Sequence, residues 1–303
     1  YDCLIPVSGG KDSTWQVIKC LQNNLVPLAV TWKCPSRTFI GQKNLDNLIS
    51  LGIDHFDITI NPKIERKFIL KTFNKTGSPA VPMHLAIFNL ADRLATKFKI
   101  PLIVWGENSA KEYGFKNKVD IKRNNLDNRW IYQYGATNKT DYKNWLGNGL
   151  NEKNLILYSK SHEKFKPTQI FLGDYFYWDT LNSFKIAKKY GFTESKNKKT
   201  GYYNFADIDD NFISIHHFIK WYKFGFDRAF DNLSLEIRNG RISRNKALKI
   251  LSKNGFKPPQ NDIKLFCKYL GITKKDFFDI CEKFRNKKIW KYDQFKKRWF
   301  IPD

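Results

Sequence analysis

The residues Ser8-Gly9-Gly10-Lys11-Asp12-Ser13 combine, in one short run, the groups that hold phosphate. Glycine lets the backbone approach an oxyanion closely, a helix N-terminus presents unpaired N–H groups, and the two serines add hydroxyl donors. Lys11 adds a full positive charge. Asp12, in the first turn of the helix that follows, suits the helix dipole and is the candidate ligand for a magnesium ion. A glycine turn closed by a serine cap is the bland alternative. Context argues against it. The run follows the apolar stretch Cys3-Leu4-Ile5-Pro6-Val7 and precedes residues 14–22, where Trp15, Ile18 and Leu21 recur at helical spacing. The spacing also differs from the Gly-x-x-x-x-Gly-Lys-Ser/Thr loop.

The elements that must position this cradle read as alternating strands and helices. Strands are predicted at 3–7, 26–32, 55–60 and 101–105, and helices at 14–22, 41–52, 64–74 and 84–99. Such alternation implies βαβ units in a parallel sheet with helices on both faces. Ligands of such sheets sit beyond the carboxyl ends of the strands, so the loops at 8–13, 31–44 and 106–114 should converge on one crevice. Residues 115–170 are polar and aromatic without a clear period and read as a long insertion with short helices, or as a lid. Beyond them the chain reads as mainly helical, with helices expected at 180–190, 209–225, 227–239, 243–253, 259–270, 273–285 and 290–298. Ser243 and Thr273 are candidate N-caps. The expected division is a nucleotide-binding domain over 1–170 and a helical substrate or partner domain over 171–303.

Other candidates follow from position. Thr31 and Trp32 end the second strand at the crevice, although Trp32 also reads as core. Gly106, Glu107 and Asn108 follow the fourth strand at the crevice. Arg37 lies in a loop over it and suits phosphate or a sugar acid, with a solvated surface arginine as the alternative. His84 opens a helix, where a histidine is either catalytic or a cap. His216 and His217 are helical neighbours that point about 100° apart, which disfavours a shared metal and suggests a structural role.

Composition bounds the class. With 42% hydrophobic and 16% aromatic residues in 303, the chain is a folded globular protein rather than a disordered one. The net charge of +24 attracts anions of every kind, nucleic acid and acidic substrates included. No basic block of about six residues concentrates it, so a coding bias toward lysine explains it equally well. The five cysteines form no CxxC pair, which disfavours a zinc ribbon, a disulfide scaffold and sulfur-transfer chemistry. No run approaches the ~18 apolar residues of a membrane span and no signal segment opens the chain, so a soluble, cytoplasmic protein is expected. The start at Tyr1, almost directly on a strand, suggests that a segment precedes it.

Ser8-Gly9-Gly10-Lys11-Asp12-Ser13 resembles the SGGxDS signature of the PP-loop ATP pyrophosphatases, of the adenine nucleotide alpha hydrolase-like fold. Further segments are similar to the N-acetyl sugar amidotransferases of surface-polysaccharide and nonulosonic-acid (pseudaminic, legionaminic) biosynthesis. These are Arg37-Thr38-Phe39-Ile40-Gly41-Gln42-Lys43-Asn44, Pro82-Met83-His84, Trp105-Gly106-Glu107-Asn108, Glu112-Tyr113-Gly114, Lys220-Trp221-Tyr222-Lys223-Phe224-Gly225-Phe226-Asp227-Arg228 and Ile237-Arg238-Asn239-Gly240-Arg241. The resemblance runs from Tyr1 to about residue 255 and is least clear over 115–170. It implies ATP bound by Val7, Ser8, Gly9, Gly10, Lys11, Asp12, Ser13, Thr31, Trp32 and Gly106. It implies chemistry at Lys11, Asp12, Glu107, Asn108 and His84, and substrate contacts at Arg37, Asn44, Tyr113, Lys220, Lys223 and Arg228.

The implied reaction adenylates the amide oxygen of an N-acetyl sugar, releases pyrophosphate and lets ammonia displace AMP to leave an acetamidino group. ATP and magnesium are the implied cofactors. That family carries a Cys-rich segment ahead of its loop, which this sequence lacks. Nothing here resembles a glutaminase, so the implied ammonia source is a separate glutaminase subunit. Two other classes stay open: a lysidine-type tRNA-modifying PP-loop enzyme and a non-enzymatic basic RNA-binding module, the latter leaving the cradle unexplained.

Overall fold

The computed structural model describes residues 1–113, 126–254 and 257–302, without the side chains of Lys111, Tyr113 and Asn254. Strands β1 (Cys3–Pro6), β2 (Pro27–Trp32), β3 (Asp54–Ile58), β4 (Leu102–Trp105) and β5 (Thr168–Phe171) form one sheet in the order β3-β2-β1-β4-β5, parallel at every pairing. Helices α1 (Lys11–Gln22), α2 (Phe39–Ile49), α3 (Pro62–Thr76) and α4 (Val81–Lys97) alternate with the strands. Successive side chains of a strand point to opposite faces, and β1 follows this rule. Cys3, Ile5 and Val7 pack with Trp15 and Val17 of α1, while Leu4 packs with Ala91 and Ala95 of α4. The two helices therefore cover opposite faces. The fold is the α/β class expected, with a helical C-terminal region.

The strands and most helices fall within a few residues of their sequence positions. Two differ in kind. Residues 290–298, expected to be helical, form the antiparallel hairpin β6 (Lys291–Asp293) and β7 (Arg298–Phe300). Aromatic and charged residues alternate there, and Tyr292 stacks edge-on against Trp299 across the pair, which is a strand pattern. The stretch read as an insertion ends in β5, which pairs with β4 from Leu102↔Thr168 to Trp105↔Phe171. Between α6 (Asn128–Tyr134) and β5, Trp145, Leu150, Leu155 and Tyr158 pack on Phe68 of α3 and Leu85 of α4. Residues 114–125 of that stretch lie outside the described residues, as does the side chain of Tyr113 in the short helix α5 (Ser109–Tyr113).

After β5 the chain adds α7 (Thr180–Lys189), whose Ile186 packs against the core around Trp15. Helices α8 (Ile213–Phe224), α9 (Arg228–Arg238), α10 (Arg244–Asn254), α11 (Gln260–Leu270) and α12 (Lys274–Lys283) follow. Ser243 accepts from Lys246 N at 3.2 Å, and Thr273 forms a capping box with Asp276. Phe218, Phe266 and Phe277 of the helical region share a core with Ile69 and Phe73 of α3.

Candidate active site

Because β1 is flanked by β2 on one side and β4 on the other, the crossovers diverge there and open a crevice at the carboxyl ends of the strands. Gly9 turns the chain into α1 with φ of +84°, a conformation that favours glycine. A Cβ there would come within 2.6 Å of the Leu45 backbone nitrogen of α2, so side chains are excluded on two grounds. Gly10 then caps α1 without a side-chain hydrogen bond. The first-turn N–H groups have no partner within the helix, and Lys11, Asp12 and Ser13, which carry them, line the crevice. Ser13 Oγ donates to the Gly10 carbonyl at 3.0 Å, and Gly10 N donates to Ser8 Oγ at 3.3 Å.

Lys11 is buried and bound to Asp12, whose other oxygen accepts from Trp178 Nε1 at 3.0 Å. Gln16 donates from Nε2 to the Val104 carbonyl at 3.2 Å, which clamps α1 to β4 and sets its side-chain amide 3.2 Å from where a Cβ on Gly106 would stand. Glu107, next along, also faces the crevice. Burial, with the charge of Asp12, raises its carboxyl pKa to about 7 against the pull of Lys11 and Arg228.

The crevice has a volume of about 950 Å³ and is lined by the loop and by Thr31, Trp32, Arg37, His84, Glu107, Lys220, Lys223 and Arg228. Thr31 Oγ1 donates to the Val7 carbonyl at 2.8 Å, and Trp32 Nε1 donates to buried Glu65 at 2.8 Å. Burial raises the Glu65 pKa to about 8. Arg37 is gripped by both oxygens of Asp57 at 2.7 Å, so its charge is already matched at the cleft edge. Lys220 pairs with Asp231, and Arg228 Nε with Asp207 at 3.2 Å. Lys223 Nζ donates to the Thr76 carbonyl at 3.0 Å, and burial lowers its pKa.

Two expected site residues lie elsewhere. Asn44 is buried and hydrogen-bonded twice to the Thr193 backbone, at 2.9 Å to the carbonyl and 2.8 Å from the amide. It pins the 190–193 turn to α2 and offers nothing to a substrate. Asn108 is 2% exposed, accepts from Ala110 N at 3.2 Å and Trp130 Nε1 at 3.3 Å, and so starts α5 and orients Trp130.

The sequence reading missed the segment 207–211. Thr38 N donates to the Asp209 carbonyl at 3.0 Å, Thr38 Oγ1 to the Ile208 carbonyl at 2.5 Å, and Asn211 N to the Ser36 carbonyl at 3.0 Å. This places Asp207, Asp209 and Asp210 in the cleft lining beside the loop. Burial raises the Asp209 pKa against the pull of the Ser8 hydroxyl, and raises that of Asp210 to about 7. Asp207 is held ionised by Arg228, by His217 at 3.5 Å and by the Thr200 hydroxyl at 2.6 Å. Three carboxylates in four residues of a lysine-rich chain were the signal available. His216 and His217 also line the cleft. No group of three or more His, Cys, Asp or Glu side chains among the described residues is arranged to hold a metal ion. No helix among them is long and apolar enough to cross a membrane.

Fold and site together define an α/β protein with a glycine turn and a helix N-terminus at the switch point of its sheet and a second wall contributed by its C-terminal helices. Residues 177–301, under half of the chain, match the family model described as LPS biosynthesis protein WbpG-like, C-terminal domain. That stretch supplies the wall carrying Asp207, His216, Lys220, Lys223 and Arg228. No curated protein matches the chain. Among solved structures, it is similar to a predicted subunit of tRNA methyltransferase from Methanocaldococcus jannaschii, at 16% identity over 62% of this chain and 76% of that one, with a TM-score of 0.33. It is also similar to NMN synthetase from Francisella tularensis, at 15% identity over 62% and 84%, with a TM-score of 0.28. At these scores neither bears on the reaction.

Proposed function

We propose that the chain is an ATP-dependent amidotransferase that adenylates the amide oxygen of an N-acetyl sugar and replaces it with ammonia, releasing AMP and pyrophosphate. The observation that carries this reading is one cleft shared by a phosphate cradle and a wall similar to an LPS biosynthesis domain. An amide carbon resists attack until its oxygen becomes a leaving group, and attachment of AMP makes it one. In this reading the α1 N-terminus and Lys11 hold the phosphates and stabilise the charge that develops on them. Magnesium, when bound, spreads that charge, and Asp12 would hold it alongside phosphate oxygens and water, since such sites need only one or two carboxylates. Trp32, steadied by Glu65, offers a flat face to the base.

Ammonia from a separate glutaminase fits the cysteines. Among the described residues only Cys34 lines the cleft, and burial raises its thiol pKa, so no thiolate nucleophile stands there. The test is product analysis with ATP, ammonium and a panel of free and nucleotide-linked N-acetyl sugars. AMP and pyrophosphate in step with a product one mass unit lighter is the expected result. Lys11→Ala and Asp12→Ala should each lower turnover by about 10²-fold or more. ADP and phosphate as the stoichiometric products would overturn the reading.

A further inference from the structure

Across the cleft from the phosphate cradle, the first turn of α4 and the first turn of α8 bring two imidazoles together. The ring centroids of His84 and His216 are 6.3 Å apart, and both rings line the cleft. The loop before α1 lines the same cleft, so a phosphate chain seated on the α1 N-terminus shares that cleft with this pair.

The protonation of the pair is legible. His84 Nδ1 lies 2.8 Å from the Ala80 carbonyl, which can only accept, so Nδ1 carries the proton and Nε2 keeps its lone pair. No described residue donates to that Nε2, and none engages either ring nitrogen of His216. Burial lowers the His84 pKa. For His216, burial acts first and the positive character of His217, His84, Lys220 and Lys223 adds to it, which sets its pKa well below the ordinary value. Both rings are therefore neutral acceptors in a wall that also carries Lys220, Lys223 and Arg228 together with the carboxylates of Asp207, Asp209, Asp210 and Asp231. A mere helix cap would need the His84 bond but neither the second ring nor the open nitrogens.

We propose that the His84–His216 pair takes up the proton released when ammonia adds to the activated carbon. This rests on the reading above. Adenylation of the amide oxygen leaves a cationic imidate and pyrophosphate and releases no proton. The ammonia lone pair then forms the new C–N bond, and the C=N π electrons move onto the sugar nitrogen. The tetrahedral adduct carries –NH₃⁺, which cannot push out a leaving group. One N–H proton passes to the open imidazole lone pair. The freed nitrogen lone pair expels AMP, whose C–O bond breaks with both electrons going to oxygen, and an amidinium remains. The imidazolium returns its proton to water.

The test separates the two halves of the reaction in the wild-type protein and in H216Q, H84Q and the double variant. Substrate-dependent exchange of labelled pyrophosphate into ATP reports adenylation, and incorporation of ¹⁵N-ammonium reports transfer. Exchange should stay within about two-fold of wild type while transfer from ammonia falls by about 10²-fold. Hydroxylamine, whose conjugate acid sheds its proton to water far more readily, should recover most of the lost transfer rate. Because H84Q removes a backbone contact, H216Q alone decides the matter if H84Q misfolds. Exchange and transfer falling together, equal defects with both amines, or unchanged ammonia transfer in H216Q would each overturn the pair's role while leaving the proposed function standing. A wild-type chain that exchanges no pyrophosphate with any N-acetyl sugar would instead overturn the proposed function, and this inference with it.

Discussion

At the scale of single residues, the loop was legible because its chemistry is local. Glycines, cations and hydroxyls that meet one anion can sit consecutively, and Gly9 then shows why the first glycine is irreplaceable: its φ is +84° and Leu45 closes off any side chain. Residues whose role depends on distant partners were not legible. Arg37 looks free in sequence but is matched by Asp57, twenty positions on, and Asn44 is spent on Thr193. Glu107 shows what the surroundings add. An ordinary glutamate is ionised at neutral pH, but burial and Asp12 raise this one to about 7. Rising pH through that value places a second negative charge beside Asp12, in the proposed phosphate site. Binding of ATP without divalent cation, followed by calorimetry from about pH 6 to about pH 8, should therefore weaken as pH rises. Glu107→Gln, which keeps the neutral form, should flatten the profile. A wild-type profile that is already flat, or that tightens with pH, would show that the carboxyl does not face the phosphates.

Secondary elements were legible wherever one face had to be apolar. Residues 27–31 and 103–105 of the predicted strands are buried in the sheet, and the spacing of α4 follows the sheet face it covers. β5 escaped notice because it is only four residues long and sits at the end of a stretch without periodicity. The hairpin at 291–300 escaped because each of its strands is only three residues long, too short for the alternation to stand out. The least legible element is the segment 207–211, whose one regular feature is an isolated antiparallel bridge from Asp210 to Arg37 and which is fixed by backbone bonds to residues 36 and 38. Its fit depends on Gly41 in α2, where a Cβ would stand 2.6 Å from Asp209 Cα and 2.7 Å from its carbonyl oxygen. Both are backbone atoms, so the segment has to move as a whole. Gly41→Ala should cost about 1–3 kcal/mol of stability by overpacking. It should also raise hydrogen exchange over 205–212 selectively and lower turnover, because Asp207 and Asp209 leave the cleft wall. Unchanged exchange there with normal turnover would mean that the contact is slack.

For the whole molecule, charge and core pull in different directions. Many acidic side chains, among them Asp57, Asp179, Asp207, Asp231, Glu236 and Asp262, are bound to cations within the fold, which leaves the excess of lysine facing solvent. Such a field attracts anions but also repels itself, so the fold depends on its apolar contacts. One of these joins the two regions that the sequence suggested as separate domains. Phe73, on α3 within the first 170 residues, is fully buried, stacks with Phe277 at 5.5 Å and meets Phe266 edge-on at 5.4 Å. The same core holds Phe218 of α8, the helix that carries His216, Lys220 and Lys223 to the cleft. A shared core of this kind couples the two parts, and the cleft between them depends on it. Phe73→Ala should remove about 3–5 kcal/mol of stability, the usual cost of deleting a buried aromatic ring. Wild-type unfolding followed by tryptophan fluorescence and by far-ultraviolet circular dichroism should give one coincident transition, and the variant should keep that coincidence at a lower midpoint. If instead the variant lost its helical signal in a first step while the environment of Trp15, buried between α1 and the sheet, survived to the wild-type midpoint, the two regions would be independent domains, and the cleft wall could move without disturbing the phosphate cradle.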